Sequence, residues 1–193
     1  MDRCGWVGAD VVYEGYHDTE WGVPEHDARA LWEKLILDGF QAGLSWITIL
    51  RKRENFRSAF ADFNPEIIAT WGEEEVSRLL EDAGIIRHRG KIEATIGNAQ
   101  AYLTLQDAQG FDRFLWDYVD GVPIRNAWAS LVDVPTETAL SRRISKDLKK
   151  AGFKFCGPTI VYAFMQAVGM VNDHTLNCHR HGIVAHMKGP GEM

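Results

Sequence analysis

The sequence predicts an all-α protein, and three observations carry that expectation. Apolar residues recur at three- and four-residue spacing along nearly all of the 193 residues, the register of a helix face rather than of a strand. Capping side chains stand ahead of several of these runs, and Gly or Pro punctuates their ends. No convincing alternating run argues for a strand, although residues 6–13 and 183–187 are ambiguous.

Residues 27–42 form a helix with Asp27 as N-cap and Leu31, Leu35 and Ile36 on its inner face. Ser45 can cap the next, whose apolar side holds Trp46, Ile49, Leu50, Phe56 and Phe60 and whose polar side carries Arg51, Lys52, Arg53 and Arg57. Asn64-Pro65 places a cap before a proline at the first helical position, opening a short helix to about Trp71. Glu73, Glu74 and Glu75 load the first turn of another with the charge its dipole favours, and that helix ends at Gly84. From Gly90, Ile92, Ile96, Ala99 and Leu103 continue the pattern, and Phe111 to Val119 make a short aromatic helix. Residues 120–135, with Gly121, Pro123 and Pro135, read as a loop or linker. Leu140, Ile144 and Leu148 are the buried stripe of a basic helix that Gly152 stops, and Pro158 starts an apolar helix through Ala167.

With 46% hydrophobic and 25% charged residues the chain can bury a sizeable core, as one ordinary domain or as a core domain with a small appendage. The three cysteines, Cys4, Cys156 and Cys178, cannot all pair within the chain, and the first residues hold no apolar stretch of the kind secretion requires. The expectation is a cytoplasmic protein with no membrane span. The net charge of −6 excludes a general nucleic-acid coat. It is also an average: 8 basic and 17 acidic residues precede Gly84, net −9, while 13 basic and 10 acidic follow from it, net +3. Arg142, Arg143, Lys146, Lys149, Lys150 and Lys154 form one basic cluster, and Arg87, Arg89 and Lys91 another around Gly90. Each is either a solvated helix face or a local dock for phosphates.

Three constellations could carry chemistry. The segment 148–166 has the form of a helix-hairpin-helix: the turn between Gly152 and Gly157 and the helix begun at Pro158 would offer backbone amides to a phosphate beside Lys149, Lys150 and Lys154. A plain packing hairpin has the same shape. Cys4 and His17 near one end, with His174 and Cys178 near the other, would fill a closed tetrahedral zinc site tying the termini together; His179, His181 and His186 are rivals. Lastly, Trp6, Tyr13, Tyr16, Trp21 and Trp46 accompany the carboxylate Asp38. A planar base could stack on such rings while Asp38 accepts its N–H groups, or the rings are simply core.

The blocks RCGW at 3–6, YHDTEWGVP at 16–24, GFQAGLSW at 39–46, KRENF at 52–56, AGIIRHRGKI at 83–92, GFKFCGPT at 152–159 and FMQAVGMVNDH at 164–174 resemble the bacterial DNA-3-methyladenine glycosylase I family, in that family's order. The resemblance implies a helix-hairpin-helix DNA glycosylase fold and a monofunctional repair enzyme that hydrolyses the N-glycosidic bond of 3-methyladenine, leaving an abasic site without lyase activity. It implies one structural zinc on Cys4, His17, His174 and Cys178, tying residues 1–25 to 168–193 across a helical body of 26–167 with its hairpin at about 138–167. It places the base among Trp6, Tyr13, Trp21 and Trp46, with Asp38 and Tyr16 as catalytic groups, and puts Gly43 and Leu44 in the gap left by the flipped nucleotide. Gly152, Lys154 and Gly157 then hold DNA. The implied partner is double-stranded alkylated DNA, bound by a monomer with no obligate protein partner; a non-catalytic lesion reader on the same fold is the alternative. The family's pocket carboxylate is usually glutamate, so Asp38 is one methylene shorter. Asp173, beside His174, is read as orienting the zinc site rather than as a catalytic carboxylate.

Overall fold

The helices begin where the sequence supplies an acceptor for their first amides. Asp10 accepts from Val12 N–H at 2.9 Å and opens α1 (Val11–Thr19), a helix within and beyond the stretch that the sequence left ambiguous. Asp27 accepts from Ala30 N–H at 2.8 Å and opens α2 (Ala28–Gln41) as expected. Ser45 does not cap α3 (Trp46–Ala59) with its side chain, contrary to expectation; its hydroxyl pairs with that of Thr48 at 2.9 Å. The Tyr13 hydroxyl takes over instead, accepting from Ile47 N–H at 2.9 Å. A residue 34 positions away thus does what a local cap would have done.

Asn64 caps α4 (Pro65–Ile68), shorter than expected, and α5 (Glu73–Glu81) follows. His88 caps α6 (Arg89–Gln109), which runs well past Leu103, and α7 (Phe111–Trp116) continues into a 3-10 turn over 117–119. The loop 120–135 contains the two-residue β1 (Ile124–Arg125) and a 3-10 turn over 131–133. Then come α8 (Ala139–Lys150), α9 (Pro158–Ala167), the two-residue β2 (Val171–Asn172) and α10 (His179–Val184). β1 and β2 pair in parallel, Ile124 opposite Val171, a short ladder that no sequence pattern announces. The structure, a computed structural model, describes residues 1–188 and is mostly helical; residues 189–193 of the expected C-terminal segment lie outside the described residues. Among the described residues, no helix is long and apolar enough to cross a membrane.

The main core forms around α2, which packs against α3, α6, α7 and α9 and buries Trp32, whose Nε1–H donates to Phe63 O at 3.0 Å. Phe40, Phe56, Phe60 and Phe63 form a run of ring contacts beside it. A second, smaller cluster gathers both ends of the chain: Cys4, Val7, Tyr16 and Trp21 with Leu50, Ala167 and Cys178. Gly169 makes this approach feasible. Its φ of +73° suits glycine, and a Cβ there would sit 2.5 Å from Pro24 N.

Candidate functional site

Four side chains from opposite ends of the sequence meet in the small cluster. His17 comes from α1, Cys4 from the turn before it, His174 from the segment after β2, and Cys178 from the cap of α10; all are buried, and their ligand atoms lie within 4.8 Å of one another. The Cys178 sulfur is 3.4 Å from His17 Nε2 and 3.5 Å from His174 Nδ1, and Cys4 is 3.5 Å from the same Nδ1. Zinc bonds of about 2.0–2.3 Å in a tetrahedron require donor separations of roughly 3.3–3.8 Å, so these three separations suit a closed four-ligand site. The far ring nitrogens are also fixed: His17 Nδ1 meets Asp18 at 2.8 Å and His174 Nε2 meets Trp21 O at 3.1 Å. Asp18, itself gripped by Arg3 at 2.7 Å and held down to about pKa 2 by that hydrogen bond, is the orienting carboxylate that sequence reasoning missed. Its adjacency to His17 was the available signal. Hydrogen bonding from Cys4 pulls the Cys178 thiol pKa down while Cys4 is pushed up, so one thiolate is already favoured.

Asp173 does not orient this cluster, and that expectation is corrected. Its Oδ1 accepts from Asn126 at 2.6 Å and Trp128 Nε1 at 2.7 Å, and its Oδ2 from Tyr162 at 2.7 Å and Gln166 at 2.8 Å. Four donors occupy the carboxylate's acceptor sites. The residue clamps the loop 120–135 to α9, and Trp128 is held in that clamp rather than in the core.

Beside the Cys/His cluster opens a cavity of about 320 Å³, walled by Trp6, Tyr13, Tyr16, Trp21 and Trp46 with Asp38 among them. The rings contact one another edge-on or tilted: Trp6 lies 5.3 Å from Tyr13 and 5.2 Å from Trp21, and Tyr16 lies 5.5 Å from Trp46. Five aromatic residues scattered over the first 46 positions are thereby brought to one wall. Burial raises the Tyr16 hydroxyl well above the usual tyrosine range, so it is a neutral donor. Asp38 is only 1% exposed. Burial likewise raises its carboxyl, against the pull of Lys34, which hydrogen-bonds Oδ1. Oδ2 and the Trp46 Nε1 have no hydrogen-bond partner among the described residues. Two residues of the cavity wall thus each hold a buried polar atom without a partner, one an acceptor and one a donor.

Lys34 is the functional-site residue that the sequence reading did not single out. Leu31, Lys34 and Asp38 stand at i, i+3 and i+7 on α2, the register of one buried face. Two charges in that register were the signal. Its ammonium also lies 3.9 Å over the Trp46 ring.

The turn after α2 carries Gly43, at φ +85°, and Leu44, whose side chain is 42% exposed. Lys91 holds this turn from below, donating to Phe40 O at 2.8 Å and Ala42 O at 2.7 Å. Arg89 pairs with Glu73 at 2.9 Å and with Glu93 at 3.2 Å. Of the cluster around Gly90, Lys91 is therefore engaged within the protein, and the expectation of a phosphate dock is withdrawn for it, whereas Arg89 stays exposed in surface ion pairs. The other cluster faces outward: Lys146, Lys149, Lys150 and Lys154 are exposed, and Arg142, Lys146, Lys149 and Lys150 line an open concavity with Pro158. The hairpin between Gly152 and Gly157 is anchored by Asn98, which accepts from Lys154 N–H at 2.7 Å and donates to its carbonyl at 3.1 Å. No side chain caps α9.

Residues 6–181 match the methyladenine glycosylase family. DNA-3-methyladenine glycosylase 1 of Escherichia coli strain K12 is 55% identical over 179 residues, covering 92% of this chain and 96% of that protein. A crystal structure of 3-methyladenine DNA glycosylase I matches with a TM-score of 0.92 at 55% identity, covering 93% of this chain and all of the other. A second, of a variant of that enzyme in complex with 3-methyladenine, matches with a TM-score of 0.90 at 40% identity, over 93% of this chain and 97% of its own. Sequence, fold and an aromatic cavity with an unsatisfied buried carboxylate converge, and the chain belongs to the methyladenine glycosylase family.

Proposed function

We propose that the protein is a monofunctional DNA glycosylase that releases 3-methyladenine from double-stranded alkylated DNA and leaves an abasic site. The observation that carries this reading is a pair of buried, orphaned atoms on two residues of the aromatic cavity's wall, Asp38 Oδ2 and Trp46 Nε1. An adenine-type base presents an amino donor beside a ring-nitrogen acceptor, the complement of that pair, and its faces suit Trp46, Trp6, Tyr13 and Trp21. Leaving either atom unpaired costs about 1–3 kcal/mol, so a base that satisfies both is selected over one that does not. 3-Methyladenine on deoxyribose is cationic and departs neutral, so no side chain need protonate it. Asp38 and Tyr16 act by orienting the base, and the barrier falls through positioning after the nucleotide is flipped.

The zinc ligands in this reading are Cys4, His17, His174 and Cys178. The ion supplies a crosslink between residues 1–25 and 168–193 and takes no part in the reaction, since a closed four-ligand site leaves no position for substrate. Leu44, carried by Gly43, fills the gap left by the flipped base, while Lys154 and the Gly152–Gly157 amides take phosphates. The enzyme works as a cytoplasmic monomer.

The test is release of free base from methylated DNA by purified protein. Release of 3-methyladenine well above the spontaneous rate is expected, without a covalent adduct trapped by borohydride. Tight binding to alkylated DNA with no release would identify the non-catalytic lesion reader instead.

A further inference from the structure

The Lys34–Asp38 pair is unusual for a pocket meant to receive a cationic lesion. The Lys34 side chain is 16% exposed and that of Asp38 2%, and the two pair across one turn of α2. The same ammonium lies over Trp46. Lys34 also borders a second cavity of about 240 Å³ on the other side of Tyr16 and Trp46. One carboxylate oxygen is thus taken by the protein, and the other is buried without a partner on a residue that lines the aromatic cavity. We propose that Lys34 is a positioning residue: it keeps the buried Asp38 carboxylate charged and holds Oδ1, so that the base meets one oriented acceptor, Oδ2.

This inference rests on the base-binding reading of the cavity. Burial drives the Lys34 amine down and the Asp38 carboxyl up, and each partner opposes the other's shift. No other group near the pair can replace Lys34. From α1, Tyr13 and Tyr16 are phenols, and Glu20 is bound to Arg53 of α3 at 2.9 Å. Glu33 on α2 is bound to Arg57 at 2.8 Å. Across the cavity Asp173 is held by its four donors and the Cys4 sulfur faces His174. Without Lys34, Asp38 would be a buried carboxylate with no counter-charge, and such groups take up a proton instead. A protonated Asp38 loses its charge and with it most of its attraction for the amino group of the base.

The experiment measures 3-methyladenine affinity between pH 6 and 8 for wild type, Lys34→Met and Lys34→Arg. The wild-type curve carries whatever titration belongs to the base, so the ratio of variant to wild-type Kd is the readout. For Lys34→Met the ratio should grow as pH falls from 8 to 6, by up to about tenfold for each unit below the carboxyl pKa. For Lys34→Arg it should stay flat. A pH-independent ratio for the Met variant overturns the proposal, as does an Arg variant that behaves like Met. A carbon-13 NMR titration of Asp38 in the wild-type protein tests it without any variant: no protonation step between pH 6 and 8 is expected, and a step in that window overturns it. Wild-type protein that fails to bind the base at all refutes the pocket assignment, while the NMR titration still judges the ion pair.

Discussion

The indole of Trp46 borders the aromatic cavity, faces the Lys34 ammonium and holds an Nε1–H with no partner among the described residues. Stacking a base on an aromatic side chain is worth about 1–3 kcal/mol by alanine substitution, or roughly 5- to 150-fold in affinity. Trp46→Ala should therefore weaken free-base binding by at least about fivefold in a calorimetric titration while leaving affinity for undamaged DNA unchanged. Retained base binding would place the pocket elsewhere. Asp38 is the residue whose sequence reading changed most. The shorter side chain left open whether it reaches the pocket; the structure puts it on the cavity wall with Lys34 on one oxygen. An i, i+4 Lys–Asp pair ordinarily signals a solvated helix face. Only the burial of that face turns the same spacing into a pocket device.

At the scale of elements, the two basic clusters separate by direction. Lys91 points inward to the end of α2, whereas Arg89 and the cations of α8 and its hairpin are exposed. Charge runs read in one dimension do not record that direction. The hairpin is gripped through the main chain of Lys154, so its side chain can be altered without moving the turn. Lys154→Ala should reduce the slope of log K against log salt for DNA binding by about 1 and leave free-base affinity intact. An unchanged slope would show that this lysine meets no phosphate. α1 and α10 were not read from the sequence for the opposite reason. Their residues face a ring wall and a metal-ligand cluster instead of an apolar groove, so no clean 3.6-residue stripe marks them.

For the whole molecule, the smaller cluster holds few aliphatic side chains and buries His17 and His174 within it. Apolar burial there cannot by itself fix two chain ends, whereas apparent zinc affinities in small structural sites reach about 10–16 kcal/mol. Metal analysis should find one zinc per chain. Cys178→Ser should lose it and lower Tm by on the order of 10 °C, since 1 kcal/mol shifts a chain of this size by roughly 2–4 °C. A zinc-free wild type of full stability would refute the site. The pocket shares this cluster, Trp6 lying 5.5 Å from His17 and Trp21 4.6 Å from His174, so losing the metal should also weaken base binding.

The sequence by itself determined most of the helices, because periodicity and caps such as Asp27 and Asn64 act over one or two turns and are written locally. It also carried the aromatic and Cys/His inventory and the family blocks. The tertiary structure bore out His17 and His174, already named from the sequence, as the histidines that join Cys4 and Cys178, with His179 turned to Asp2 O and His181 to Asn126 O. It decided that Asp173 clamps a loop and that Tyr13 caps α3. It also made Lys34 the partner of Asp38 inside a pocket. The physical reason is the same each time: a polar side chain has several possible partners, and burial, which depends on every element packed around it, leaves one.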